Sequence, residues 1–262
     1  MILEVVGGGE QVKARSEGEN EVFLAWDGEY RAGDLIRVSG LQSGEFYAFS
    51  PDSAIERSTL YMTREEYVYR IPFYEKKAGH NPMAFVGNRH YIFLRKVRKD
   101  ELGGIRNLAL NPADQHEESG AYPHASANVE TRGEAVFAAR NAIDGVIAPE
   151  SHGEWPYASW GINRQADACW RLDFGRKVDI EEIHMYTRAD FPHDNWWTRA
   201  TFRFSDGSAE TVDMEKKTRE PHVFAIRKKG ITFLTASDLI QADDPSPFPA
   251  LTQMEVYGRE TE

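Results

Sequence analysis

The feature that most constrains this chain is its repeated alternation of apolar and polar residues, interrupted by turn-forming residues about every ten positions. Trp170, Leu172 and Phe174, for example, are separated by charged residues, which is typical of a strand with one face on a core. Only residues 134–141 have the periodicity of a short helix. The sequence therefore predicts an all-β protein with the strand lengths and turn spacing of β-sandwiches.

The predicted strands fall into two groups on either side of residues 99–104, a segment that is first charged and then glycine-rich, as linkers are. The first group comprises residues 21–26, 35–38, 46–50, 58–61, 67–71 and 90–96. The second group comprises residues 170–174, 183–187, 200–204, 210–213, 222–226, 231–236 and 253–257. We therefore predict two β-sandwich domains, residues 1–104 and residues 105–262.

The charge of the chain bears on its partners. The net charge is −11, and residues 105–262 carry 17 basic and 26 acidic side chains, a balance of 17 − 26 = −9. Such a surface repels nucleic acids and anionic lipids, so both are disfavoured as partners. The first residues have no basic stretch followed by the apolar run of a signal peptide, and the sequence as given predicts a cytoplasmic location.

Four motifs of the second half stand in a familiar order. They are Asn-Ala-Ile-Asp-Gly at 141–145, Trp160, Trp-Arg-Leu-Asp-Phe-Gly at 170–175 and Met-Glu-Val-Tyr-Gly at 254–258. In this order they resemble the coagulation factor 5/8 type C, or discoidin-like, superfamily of galactose-binding-like domains. The resemblance implies a jelly-roll sandwich for the C-terminal domain. Many bacterial members of the superfamily are carbohydrate-binding modules, so it also implies carbohydrate binding.

The resemblance further implies a structural calcium ion. Such modules often hold calcium between the aspartate of the Asp-Gly turn and a glutamate of the last strand, positions that Asp144 and Glu255 match. Calcium needs several oxygen ligands, and the carbonyl groups of Asn141 and Gly145 could supplement the two carboxylates. The alternative is that Asp144 only caps a turn and that Glu255 is a solvated strand residue.

Two loops contain the residue types that bind sugars, namely aromatic rings for stacking and charged groups for hydrogen bonds to hydroxyls. These loops are residues 152–160 and residues 188–197. The predicted ligand-binding residues are Trp155, Tyr157, Arg188, Asp190, His193, Asp194 and Trp197. The alternatives are that one of the adjacent tryptophans faces the core and that the charged residues only brace the loop.

Two other functions stay open at this point. Glu154, Asp190 and Asp194 could supply the two carboxylates of a glycan-acting enzyme, although the chain has no nucleophile elbow, zinc-protease motif or phosphate loop. The superfamily also contains protein binders, so a protein-interaction module is the other alternative. The mixture of charged and aromatic residues in the second loop favours a sugar, and we predict a non-catalytic carbohydrate-binding protein.

Overall fold

The computed structural model describes residues 1–189 and 195–261, and within these residues the chain forms strands and short 3₁₀ helices only. The strands are β1 (Ile2–Val6), β2 (Val12–Glu17), β3 (Glu21–Asp27), β4 (Leu35–Ser39), β5 (Glu45–Ser50), β6 (Ser58–Met62), β7 (Glu66–Arg70), β8 (Arg89–Lys96), β9 (Arg106–Asn107), β10 (Ala121–Tyr122), β11 (His124–Ala127), β12 (Trp160–Gly161), β13 (Trp170–Thr187), β14 (Trp197–Phe204), β15 (Ala209–Asp213), β16 (His222–Phe224), β17 (Lys228–Gln241) and β18 (Ala250–Glu260). The 3₁₀ helices are Tyr74–Lys77, Lys99–Leu102, Thr131–Gly133, Ala135–Phe137 and Ala139–Ile143. The all-β prediction is confirmed.

The N-terminal half is a sandwich of two antiparallel sheets. One sheet has the strand order β2-β1-β4-β7, and the other has the order β10-β6-β5-β8-β3. Alternate residues of each sheet point between the layers, so that Leu3 and Ile36 of the first sheet share one buried cluster with Leu24 and Ile92 of the second. The apolar residues that alternate with polar ones in the sequence therefore fill the space between the two sheets.

The C-terminal half is built from one antiparallel sheet whose long strands bend around a second core. Its main strand order is β12-β18-β13-β17-β14-β15. The first part of β13 pairs with β11 and β17, whereas its second part pairs mainly with β18, and the pairing shifts register between Asp173 and Val178. Gly175 lies in this stretch with a φ of 68°, a backbone conformation that glycine adopts without steric cost. The single strand β13 thereby contributes to both layers of the sandwich.

The predicted helix at 134–141 is wrong. Two short 3₁₀ helices occupy this stretch, and they are separated by Ala138, whose backbone is extended. The side-chain amide of Asn141 donates to the carbonyl of Ala135, and the backbone N–H of Ala139 donates to the Glu130 carboxylate. These two hydrogen bonds to side chains replace some of the backbone hydrogen bonds that an α-helix would form. No helix among the described residues is long and apolar enough to cross a membrane.

The segment after the predicted linker contacts both halves. Strand β10 pairs with β6 of the N-terminal half, and Ala113 and Ala121 pack in the N-terminal core. The buried Arg140 guanidinium donates to the carbonyls of Pro112 and Asp114 and to that of Gly79 in the N-terminal half. Independent folding of residues 105–262 stays a prediction, because these contacts would be lost in the isolated fragment.

Candidate functional site

A pocket of about 250 Å³ opens on the C-terminal half where several strand ends and loops meet. Arg188 directly follows β13, Phe248 and Pro249 directly precede β18, and Gly161 lies on β12. The remaining described residues of the wall are Thr131, Arg132, Phe137, His152, Ile162, Asn163, Arg164 and Ala250. The pocket therefore depends on distant parts of the chain that the sheet brings together.

Backbone pairing places the ends of these strands side by side. Ala250 of β18 pairs with Gly161 of β12, and the N–H of Arg188 donates to the carbonyl of Ala250 at 3.1 Å. Gly161 also allows a close approach of the wall, since a Cβ atom there would lie only 2.5 Å from Thr131 Oγ1. A larger residue at position 161 would push the Thr131 loop away from the sheet.

Arg188 forms part of the inner wall of this pocket. Its side chain is only 4% exposed, and one guanidinium nitrogen donates to Ser159 Oγ at 3.0 Å. Ser159 is itself fully buried, and its N–H donates to the carbonyl of Val136. Because the guanidinium is held by a buried partner, little rotamer freedom is left for a ligand to remove.

The outer wall combines an aromatic ring with a loop in an unusual backbone conformation. Phe248 is 45% exposed, and the Arg164 guanidinium lies 6.0 Å from its ring centroid. Asn163 and Arg164 both have positive φ, 49° and 60°, and the Asn163 N–H donates to Thr131 Oγ1 at 2.9 Å. Positive φ at an arginine is uncommon and costs free energy, and such residues cluster at functional sites.

The structure separates the predicted ligand-binding residues. Arg188 lines the pocket, whereas Trp155 and Tyr157 do not. The Trp155 N–H donates to the carbonyl of Ala78 at 2.8 Å, so this part of the loop packs on the N-terminal half, and Tyr157 is 38% exposed. Trp197 is fully buried in the C-terminal core against Trp160, so its ring has no face for a sugar, and it is a core residue.

The remaining predicted residues, Asp190, His193 and Asp194, lie outside the described residues.

Two prominent residues of the pocket were missed by sequence reasoning. Phe248 stands in a proline-rich stretch for which no role was predicted, and Arg164 follows β12 in a turn without any recognised pattern. The available sequence signal for Phe248 was a phenylalanine between two prolines. Nothing local in the sequence indicates that Arg164 and Phe248 are neighbours, because 84 positions of chain separate them (248 − 164).

Asp144 and Glu255 do not fit a shared calcium site. Burial raises the pKa of the Asp144 carboxyl to about 7, and its Oδ1 accepts from the N–H of Val146 at 2.8 Å. Glu255 instead pairs with His184 at 3.4 Å. The β18 side chain that reaches the Asp-Gly turn is the amide of Gln253, which accepts from the Gly145 N–H at 3.3 Å.

Within the described part of the chain, no group of three or more histidine, cysteine, aspartate or glutamate side chains could hold a metal ion. The turn therefore offers one buried carboxyl and an amide, a weak set for a cation that prefers several charged oxygens.

No protein-family model matches the sequence, and a comparison with curated proteins finds no significant match. Among solved structures, the chain is similar to chitosan-binding module 1 of a chitosanase/glucanase from Paenibacillus sp. IK-5, with 16% identity, 59% of this chain and 100% of that chain covered, and a TM-score of 0.40.

A Streptococcus pneumoniae fucose-binding module shares 13% identity over 60% of this chain and 98% of its own length, with a TM-score of 0.41. A family 32 carbohydrate-binding module of Clostridium perfringens, solved with GlcNAc-α-1,4-galactose, shares 13% identity over 60% of this chain and 96% of its own, with a TM-score of 0.41. These three solved structures are a chitosan-binding, a fucose-binding and a family 32 carbohydrate-binding module.

Proposed function

We propose that this protein binds a carbohydrate, without chemical turnover, in the pocket between Arg188, Arg164 and Phe248. The observation that carries the proposal is the combination of a half-exposed aromatic ring with guanidinium groups around one concave space. Sugars present apolar C–H faces together with hydroxyl groups. An aromatic ring stacks on the former, and charged donors bind the latter.

The pocket is also largely formed before a ligand arrives. Ser159 holds the Arg188 guanidinium, and Pro247 and Pro249 restrict the backbone on both sides of Phe248. Side chains and backbone that are already ordered lose little entropy on binding. This favours recognition of a weakly interacting, well-hydrated ligand such as a sugar.

A glycan-acting enzyme would need two carboxyl groups on either side of the bound sugar. Of the three carboxylates predicted for that role, Glu154 is exposed and lies outside the pocket wall. Asp190 and Asp194 lie outside the described residues. Incubation of the protein with its ligand, followed by analysis for cleaved or modified glycan, tests this alternative directly, and we expect the glycan to be recovered unchanged.

The binding proposal is tested by screening the full chain on a glycan array and repeating the screen with Phe248→Ala. Loss of a stacking ring should weaken binding by about 1 kcal/mol, or about fivefold. The matched control is Phe23→Ala, which removes another exposed phenylalanine (57%, against 45% for Phe248) from the N-terminal half. Equal loss of signal in both variants would argue against this pocket, and absence of any glycan signal from the wild type would argue against carbohydrate binding.

A further inference from the structure

Arginine is prominent in the pocket. Its described wall contains three arginines and one histidine and no aspartate or glutamate, whereas the chain as a whole carries a net charge of −11. A local excess of cationic groups in an acidic protein attracts anions to that place and repels them elsewhere. An exposed arginine of this wall therefore favours a ligand with negative charge.

The three arginines are not equivalent. The Arg132 guanidinium is paired with the Glu134 carboxylate through two contacts of 2.5 and 2.7 Å, and Arg188 is buried against Ser159. Arg164 is exposed and forms no ion pair with any described residue. Among the described residues of the pocket, Arg164 is thus the exposed guanidinium that could pair with an anion from solution.

The position of Arg164 beside Phe248 adds a geometric constraint. Its guanidinium lies over the Phe248 ring at 6.0 Å from the ring centroid, so a group bound at the edge of this ring would be within reach of both side chains. The planar guanidinium fork matches a carboxylate through two parallel hydrogen bonds. A sugar ring that stacks on Phe248 would place a carboxylate substituent within reach of Arg164.

We propose that the pocket binds an acidic saccharide, with Arg164 pairing with the carboxylate of a uronic or sialic acid residue while Phe248 stacks on its ring. This inference rests on the proposed function, and it adds the class of sugar. Arg164 is the residue that distinguishes an acidic sugar from a neutral one. Phe248 contributes to the binding of both.

The test uses one acidic oligosaccharide and the same oligosaccharide after reduction of its carboxyl groups to alcohols. The full chain should bind the acidic form about tenfold more tightly, which corresponds to one charge-assisted hydrogen-bonded pair at a partly exposed site. The difference should shrink as sodium chloride is added, since salt screens exposed charges.

The variant Arg164→Asn removes the charge and keeps a residue type that tolerates positive φ. It should bind both forms with the affinity that the wild type has for the reduced form. Arg199→Gln, which removes an exposed guanidinium outside the pocket wall, should behave as the wild type does. Arg164→Lys, which keeps the charge but loses the planar fork, should lie between the wild type and Arg164→Asn.

The outcomes separate the two proposals. If the wild type binds the acidic and the reduced forms equally, or if Arg164→Asn keeps the full preference for the acidic form, the acidic-sugar inference is overturned while carbohydrate binding stands. If neither form nor any other glycan binds, the proposed function itself fails. A preference for the acidic form that disappears in Arg164→Asn and persists in Arg199→Gln supports the inference.

Discussion

Replacement of Asp144 by asparagine should stabilise the protein at pH 8 and leave its stability nearly unchanged at pH 4. The Asp144 carboxyl is buried, and this burial raises its pKa from 3.8 to about 7. Its one oxygen that accepts a hydrogen bond, from the Val146 N–H, can be replaced by the amide oxygen of asparagine. The substitution therefore removes the titration while it retains the turn.

The sign and the size of the change in unfolding free energy follow from the pKa of Asp144 in the unfolded and in the folded state. Below pH 3.8 the carboxyl is protonated in both the folded and the unfolded state. Between 3.8 and about 7 only the folded state keeps the proton, so the free energy of unfolding falls as the pH rises through this window. At ~1.4 kcal/mol per pH unit, the loss is complete above pH 7 and amounts to about 4 kcal/mol.

Urea unfolding of the full chain at pH 4 and pH 8 measures this effect. Asp206→Asn is the matched control, since Asp206 accepts the same kind of turn hydrogen bond, from Ser208 at 2.8 Å, but is fully exposed with a lowered pKa. Asp144→Asn should gain stability over the wild type only at pH 8, and Asp206→Asn should not. If Asp144→Asn is less stable than the wild type at pH 8, the charged carboxylate has a favourable partner, and the reasoning is refuted.

Three further predictions concern stability. Arg140→Met should destabilise the full chain by about 3 kcal/mol or more, because three buried backbone carbonyls lose their donor. Arg203→Met, which removes one exposed ion pair, should cost about 0–1 kcal/mol, and equal urea midpoints of the two variants would contradict this prediction. Addition of a calcium chelator should leave the melting temperature unchanged, because Glu255 pairs with His184 and the amide of Gln253 contacts the Asp-Gly turn instead, and a lower melting temperature would restore the calcium hypothesis. Trp197→Ala should lower the free energy of unfolding by about 3–5 kcal/mol through the cavity that it leaves, and Tyr157→Ala, at an exposed position, should lower it far less. A small effect of Trp197→Ala on thermal unfolding would contradict the place of Trp197 in the core.

Several strands could be predicted because one of their faces is buried and the other is exposed to solvent, although β1 (Ile2–Val6), which has the same character, was not predicted. The segments predicted at 35–38 and 200–204 lie inside β4 and β14, since apolar and polar residues alternate there. Strand β2 was missed because all of its residues are exposed or half-exposed, so it carries no apolar alternation. The segments at 170–174 and 183–187 were predicted as two strands, because the glycine and charged residues between them read as a turn.

The candidate site was less predictable, since it is assembled from loops that only the sheet brings together. Arg188 was predicted because its loop gathers sugar-binding residue types close to one another in sequence. The same criterion selected Trp197, although the strand that begins there turns its ring into the core. Glu255 was chosen from its position in the last strand, but a shift of two residues along β18 puts Gln253 at the Asp-Gly turn instead.

The most direct test of carbohydrate binding in this pocket is a calorimetric titration of the best array glycan into the wild type, Phe248→Ala and Phe23→Ala. We expect one binding site per chain in the wild type and in Phe23→Ala, and at least about fivefold weaker binding in Phe248→Ala. Wild-type affinity in Phe248→Ala would contradict the assignment of the pocket, and no heat of binding in the wild type would contradict carbohydrate recognition by this chain.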